Sequence, residues 1–409
     1  MYRSLKKLNF VAPQRLVQAG LIARGLMLCL GLACASPHSQ AAPRTPRDDA
    51  EVLARLPTRP GDASTQHLAA LRAQVAQTPT DAEATRALAQ AYFDQAMAQG
   101  DPRYIGYAQA SLQPFAKTMT AELLLVRGQL KQYSHQFEAA LADFAAALQA
   151  NPQLAQAQAW RGAIFLVQAN YPAAREVCQA LHSLGRTALG GACQGLLQAY
   201  TGDLGRAQAT LQQALNVSTD ADSQLWLHTR LGEVAHWRGQ PVQAEQHFKA
   251  ALALGLDDGY LLAAWSDFLL DTARPAEVVQ LLKPWEASDS LLLRLAQAEQ
   301  QLKLPAAAAH RQAMANRFEA ARLRGDVTHR AEEARFEMHL RANPQAALTL
   351  AQANYQVQRE PRDARILLEA ALAAQAPAQA QAALDWLRNS GFEDTRLQSM
   401  AQTLNTLTP

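Results

Sequence analysis

A pattern of small and large residues recurs along this chain at a nearly constant step. Four of the glycines, Gly128, Gly162, Gly195 and Gly232, are spaced at intervals of 34, 33 and 37 residues. Twelve residues after each stands Ala140, Ala174, Ala207 or Ala244, and four residues later Phe144, Cys178, Leu211 or Phe248. A step of this length predicts stacked helical hairpins, because one such unit is too small to bury its apolar face alone.

The step and the small-residue positions resemble those of the tetratricopeptide repeat, most clearly between Leu124 and Leu252. The resemblance implies an all-α fold, a right-handed superhelical solenoid of antiparallel helix pairs. We assign residues 62–314 to the repeats, and 315–409 to degenerate repeats and C-terminal capping helices. The composition agrees, since it is rich in good helix formers, 49% hydrophobic and only 6% aromatic.

Local signals place several helix ends. Thr80-x-x-Glu83 is a capping box at a helix start, and Gly202 and Gly239 mark turns between the helices of a hairpin. Residues 346–358 and 364–372 form a last hairpin. Helices over 378–388 and 395–404, separated at Gly391, are predicted to cover the apolar end of the array.

Residues 1–41 are interpreted as a signal peptide. They contain five basic residues, no acidic residue, the apolar run Leu26–Ala35 and the small-residue pattern Ser39-Gln40-Ala41. The apolar run is about half the length of a bilayer-spanning helix. We therefore predict cleavage after Ala41, a Pro-rich linker over 42–61, and an exported, periplasmic protein. An uncleaved membrane anchor and a lipid-modified Cys34 remain alternatives.

The composition of the exported part restricts its partners and chemistry. Without residues 1–41 the chain has 33 basic and 36 acidic residues, and no basic face that would indicate nucleic acid. No stable membrane span, cofactor or metal is expected, and no P-loop, GxGxxG, HExxH or CxxC motif is present. His236 and His247 could approach across a hairpin, but a hydrogen-bonded or solvated pair is favoured over a metal site.

Paired acidic residues are a second possible source of chemistry. Asp267 and Asp271 stand four residues apart on one helix, and Glu332 and Glu333 begin another. Pairs at such spacing are usually a solvated helix face, so we do not assign them an acid/base role.

The resemblance implies that certain first-helix positions line a concave groove that receives a partner peptide or protein. The residues at or beside these positions that we expect to bind a partner are Tyr133, Trp160, Tyr200, Trp226, Thr229, Glu233, Trp237 and Tyr260. His236, Asp267 and Asp271 also fall at groove positions. Each tryptophan could instead belong to the core. The family's carboxylate clamp is not matched, since Gln129, Ala163 and Glu233 replace its asparagine.

In the family, the large second-helix position taken by Cys178 packs towards the next first helix, where Cys193 lies. The two are the cysteines left after signal removal, so a disulfide between them is one expectation and two free buried thiols are the other. The resemblance favours an exported, non-catalytic adaptor or scaffold for protein–protein interaction. A structural subunit of an envelope complex is the alternative, and an enzyme is third.

Overall fold

The computed structural model describes residues 63–407, and all regular structure in that range is helical. The predicted signal peptide and the whole predicted linker lie outside the described residues. The helices are α1 Ala63–Gln77, α2 Ala82–Gln99, α3 Arg103–Leu112, α4 Ala121–Tyr133, α5 Phe137–Ala150, α6 Ala155–Val167, α7 Tyr171–Ser183, α8 Thr187–Tyr200, α9 Leu204–Val217, α10 Ala221–Trp237, α11 Pro241–Ala253, α12 Gly259–Asp271, α13 Pro275–Leu282, α14 Asp289–Gln301, α15 Ala306–Leu323, α16 Arg330–His339, α17 Pro344–Tyr355, α18 Pro361–Ala373, α19 Gln381–Ser390 and α20 Thr395–Leu407. Between residues 63 and 407, none of them is both long and apolar enough to cross a bilayer.

The helices pack as consecutive hairpins, and the repeating glycines lie where the two helices of a hairpin approach closely. A methyl carbon added at Gly128 would lie 2.4 Å from Cε1 of Phe144, and one at Gly232 would lie 2.9 Å from Cε1 of Phe248. The aromatic ring thus fills the space that the glycine leaves open. The predicted all-α solenoid of antiparallel helix pairs is confirmed.

The hairpin of α6 and α7 departs from this packing. A disulfide joins Cys178 on α7 to Cys193 on α8, and their Cα atoms are 5.4 Å apart. That separation lies within the range that a disulfide can bridge. A methyl carbon at Gly162 would therefore meet Val177 Cγ1 at 3.1 Å, where the other hairpins present the large residue of the pattern.

The helix ends agree with the turn predictions in most places. Gly202 and Gly239 have φ of +79° and +68°, a conformation that glycine adopts without steric cost. The predicted capping box was wrong by one residue, because Asp81 and not Thr80 caps α2. The Asp81 carboxylate accepts hydrogen bonds from the backbone N–H groups of Glu83 and Ala84.

The last helices reach further than the sequence suggested. The helix α17 packs on both α16 and α18, and α20 packs along α18. We expected α19 and α20 to cover only the end of the array. They also extend back to its middle, where the Trp386 indole N–H donates to the Tyr171 hydroxyl at 2.7 Å and Phe392 contacts Tyr200 and Trp237.

Candidate functional site

The first helices of successive hairpins surround a cavity of about 800 Å³, which adjoins a smaller one of about 270 Å³. All eight predicted partner-binding residues lie here. The larger cavity is lined by Tyr133, Trp160, Tyr200, Trp226, Thr229 and Tyr260, and the smaller by Glu233 and Trp237. Residues from α4, α6, α8, α10 and α12 are thus brought to one place.

Two of the eight side chains are buried and already hydrogen-bonded. The Thr229 hydroxyl donates to the Leu225 carbonyl at 2.8 Å, and the Tyr200 hydroxyl donates to Glu360 Oε1 at 3.3 Å. The other six are half-buried, which leaves part of each side chain accessible. Five of these six partly accessible side chains are aromatic, and the sixth is Glu233.

An arginine that the sequence analysis missed holds three of these residues together. Arg230 donates to Glu233 Oε2 at 2.9 Å, and its guanidinium carbon lies 4.2 Å from the ring centroid of Tyr260 and 5.2 Å from that of Trp226. The Tyr260 hydroxyl donates to Glu233 Oε1 at 2.7 Å, and burial raises the pKa of Tyr260, so it stays a neutral donor. The spacing of Trp226, Arg230 and Glu233 along α10 could have indicated the cluster.

The carboxylate of Asp267 faces this interior, where its position in the repeat places it, but it is ion-paired with arginines as well as partly exposed. It accepts two hydrogen bonds from Arg294, at 2.9 and 2.7 Å, and one from Arg335 at 2.6 Å. Burial opposes its ionisation, but Arg294 and Arg335 outweigh burial and lower the pKa of Asp267. Arg335 stands on α16, 68 residues later, which local spacing does not predict.

Asp271, like Asp267, is paired with two arginines, and these connect α12 to the C-terminal helices α18 and α20. Arg365 on α18 contacts both of its oxygens at 2.7 Å, Arg396 on α20 contacts one, and His236 Nε2 lies 3.0 Å from Oδ2. Although burial opposes ionisation, His236, Arg365 and Arg396 hold the pKa of Asp271 well below its usual range.

The second acidic pair is not a solvated face. Glu332 lines both cavities, and burial opposes its ionisation, but His329 and Arg362 lower its pKa. Glu333 is buried and pairs with Arg322. Arg322 stands on α15 and Arg362 on α18, so the partners of this pair come from other helices that the local spacing does not reveal.

The charges that line the cavities are of both signs and lie among aromatic rings. Among the arginines that line the cavities, Arg362 has the most exposed side chain, at 55%. Its guanidinium donates a hydrogen bond to Glu360 at 2.8 Å. Burial raises the pKa of Asp363 to about 7. Its oxygens accept bonds from the Asn354 side chain at 2.8 Å and the Glu360 backbone at 3.0 Å. Such a lining suits a polypeptide segment with both apolar and charged side chains.

The histidines pair differently from the approach that the sequence allowed. His247 faces His228, with their Nδ1 atoms 3.1 Å apart, while His236 bonds to Asp271. Burial lowers the pKa of both His228 and His247. Over residues 63–407, no three potential metal-binding side chains come together.

The turn between α19 and α20 enters the site from the other end of the chain. Phe392 is 0% exposed, and its ring centroid lies 5.2 Å from that of Trp237 and 6.4 Å from that of Tyr200. Glu393 Oε2 accepts a hydrogen bond of 2.8 Å from the backbone N–H of Leu204. The sequence analysis identified the break at Gly391 but not the role of the residues after it.

No protein-family model and no curated protein matches the sequence. Among solved structures, a tetratricopeptide repeat protein from Parabacteroides merdae ATCC 43184 is 14% identical, with a TM-score of 0.41 over 57% of this chain and 91% of its own. Yeast Tom70 is 12% identical, with a TM-score of 0.43 over 84% of this chain and 85% of its own. A chain of the APC/C hetero-tetramer Cut9–Hcn1 is 13% identical, with a TM-score of 0.36 over 75% of this chain and 52% of its own.

These similarities concern the fold alone. The hairpin order and the packing of Gly128 on Phe144 are observed directly in this chain. Together with the steps of 34, 33 and 37 residues, they give it a solenoid of antiparallel helix pairs that resembles the tetratricopeptide repeat.

Proposed function

We propose that this protein is an exported, non-catalytic adaptor or scaffold that binds a segment of a partner protein on the inner face of its first helices. The observation that carries the proposal is the convergence of eight predicted residues, from five hairpins, on two adjoining cavities. Half-buried aromatic side chains with arginine among them, such as Trp226 and Tyr260 around Arg230, are typical of binding hot spots.

Export is supported by two features. Residues 3 to 41 run from basic to apolar to small residues, as in a signal peptide. Cys178 and Cys193 are joined by a disulfide, and disulfides persist in oxidising compartments such as the periplasm.

The absence of catalysis is supported by the state of the acidic residues at the cavities. Asp267 and Asp271 are each paired with two arginines, which lower their pKa, so each has no proton to donate near neutral pH and is a weak base. Asp363 has a pKa of about 7, but it is 1% exposed and its oxygens are bonded to Asn354 and to the Glu360 backbone. A substrate would therefore not reach it.

The test uses the mature chain, from Ala42, as bait in the envelope fraction of its own cell. A partner identified by mass spectrometry is then titrated against wild type, Trp226→Ala and Tyr107→Ala. Tyr107 is the matched control, because it is 53% exposed on α3 and does not line either cavity. Trp226→Ala should weaken binding by about 2 kcal/mol, roughly thirtyfold in Kd, while Tyr107→Ala leaves it unchanged.

The thermal unfolding midpoint of each variant shows whether a lost interaction reflects lost structure. Full affinity in a folded Trp226→Ala variant would contradict binding at the inner face. A partner lost with Tyr107→Ala alone would instead favour a structural subunit of an envelope complex, held by its outer face.

A further inference from the structure

The predicted groove residues already hold a segment of this chain. Phe392 inserts its ring among Tyr200, Trp237 and Trp386, with centroid distances of 6.4, 5.2 and 5.4 Å. Phe392 is separated from Trp237 by 155 positions in the sequence and lies outside the hairpins that carry Tyr200 and Trp237. It therefore occupies the groove in the way that a bound peptide would.

A carboxylate fixes the orientation of this segment. Glu393 Oε2 accepts the 2.8 Å hydrogen bond from the Leu204 N–H, which is one of the unsatisfied amides at the N-terminus of α9. The positive end of a helix dipole favours a negative charge at this position. The pocket thus recognises an aromatic ring and, directly after it, a carboxylate.

The backbone of the segment also fits the groove closely. A methyl carbon added at Gly202 would lie 2.5 Å from the Gly391 carbonyl oxygen, and both glycines have positive φ. Asp394 follows with 1% exposure and caps α20, since its Oδ1 accepts from the Arg396 N–H at 2.8 Å. The contact is thus a turn from residue 390 to 394 seated against the turn between α8 and α9.

The helix that follows this turn buries few of its residues. Two residues of α20 are buried, Leu397 and Leu404, whereas α19 buries five of its 10 residues and the inner helix α18 eight of its 13. The ion pair from Arg396 to Asp271 adds to this hold, and the Arg396 side chain is 30% exposed to solvent and salt. Release of the turn together with α20 therefore exposes fewer buried side chains than release of α18 would.

We propose that the partner segment presents an aromatic side chain followed by a carboxylate, and that it binds the pocket of Tyr200, Trp237 and the Leu204 N–H by displacing residues 390–394. This inference rests on the proposed adaptor function and names the chemistry of its partner. The chain's own turn is then an internal competitor that lowers the apparent affinity of the pocket.

The probe is a fluorescein-labelled peptide with the sequence of residues 388–396, RNSGFEDTR, titrated by fluorescence anisotropy against the full mature chain. In Phe392→Ala the internal ring is missing, so this variant should bind the peptide at least about tenfold more tightly than wild type. A peptide with alanine in place of its phenylalanine should not bind. Adding Trp237→Ala to Phe392→Ala should abolish the gain.

Phe318→Ala is the matched control, because it removes a buried ring that packs on Phe336, away from the C-terminal turn. It should show no gain in peptide affinity. Equal affinity of wild type and Phe392→Ala, or a gain that survives Trp237→Ala, would overturn the proposal.

Hydrogen exchange on the wild-type chain keeps the proposal testable if Phe392→Ala does not fold. The amides of residues 381–407 should exchange through an opening that leaves α4 to α11 protected. Exchange of all these helices in one global event would overturn the proposal. Failure of the proposed adaptor function would give a different pair of results. The peptide would still bind Phe392→Ala, but capture of the partner protein would not depend on Trp226.

Discussion

Substitution of Gly128 by alanine tests the packing on which the whole array depends. The added methyl carbon would lie 2.4 Å from Cε1 of Phe144 and 2.8 Å from its Cδ1 and Cζ atoms. Phe144 is 0% exposed, so its ring cannot turn outwards to make room. One of the two helices must therefore shift.

Two opposing effects set the magnitude. Overpacking of a buried site costs about 1–3 kcal/mol. Alanine in place of glycine favours a helix interior by up to about 1 kcal/mol. We therefore expect Gly128→Ala to lower the free energy of unfolding by about 1–2 kcal/mol. Gly106→Ala on α3 is the control, because no atom lies within 4 Å of the added methyl carbon. It should raise stability, by up to about 1 kcal/mol.

The assay is urea denaturation followed by far-UV circular dichroism, with a double-mutant cycle through Phe144→Leu. The smaller leucine makes room for the new methyl group, so the double variant should be more stable than additivity predicts, by about 1 kcal/mol or more. A stabilised Gly128→Ala variant, or strict additivity in the cycle, would refute the packing argument.

Three further measurements check other parts of the structure. The Cys178–Cys193 disulfide joins residues 15 positions apart, and its reduction should lower the free energy of unfolding by about 3 kcal/mol. Labelling of two thiols without reductant would show that the bond is absent. Burial opposes ionisation of Glu369, yet Arg365 and His339 lower its pKa to about 2. The ionised Glu369 therefore stabilises the folded state at pH values above the ordinary pKa of a glutamate. This contribution disappears as the pH falls towards 2. In Glu369→Gln the acid loss of stability should be smaller, and identical slopes of Tm against pH would exclude this role. N-terminal sequencing of the exported protein should begin at Ala42, and a retained Leu26–Ala35 would contradict cleavage.

The site residues show how far the sequence analysis could reach. The repeat step placed Trp226, Glu233 and Trp237 on one helix face, and the structure brings all three to the adjoining cavities. The spacing of Trp226, Arg230 and Glu233 could have indicated that Arg230 joins them, but not that Tyr260 of α12 packs on its guanidinium. It also did not reveal that Trp237 contacts Phe392, since nothing local links residues 155 positions apart.

The acidic residues show where local reasoning failed. On a straight helix, Asp267 and Asp271 form the polar face that their spacing suggests. The repeat register places both residues on the groove side of α12, but neither the register nor the spacing shows which side chains they contact. Arg335, Arg365 and Arg396 then approach from 68, 94 and 125 residues away.

The sequence by itself determined the helical hairpins of this protein. Their order depends on contacts between residues about 16 to 40 positions apart, such as Gly128 with Phe144, which repeat and can be recognised as a period. Only the tertiary structure decided that the C-terminal turn occupies the groove and that arginines from α16, α18 and α20 neutralise α12. Those contacts occur once, between distant segments, and depend on the accumulated curvature of the array, which no single repeat encodes.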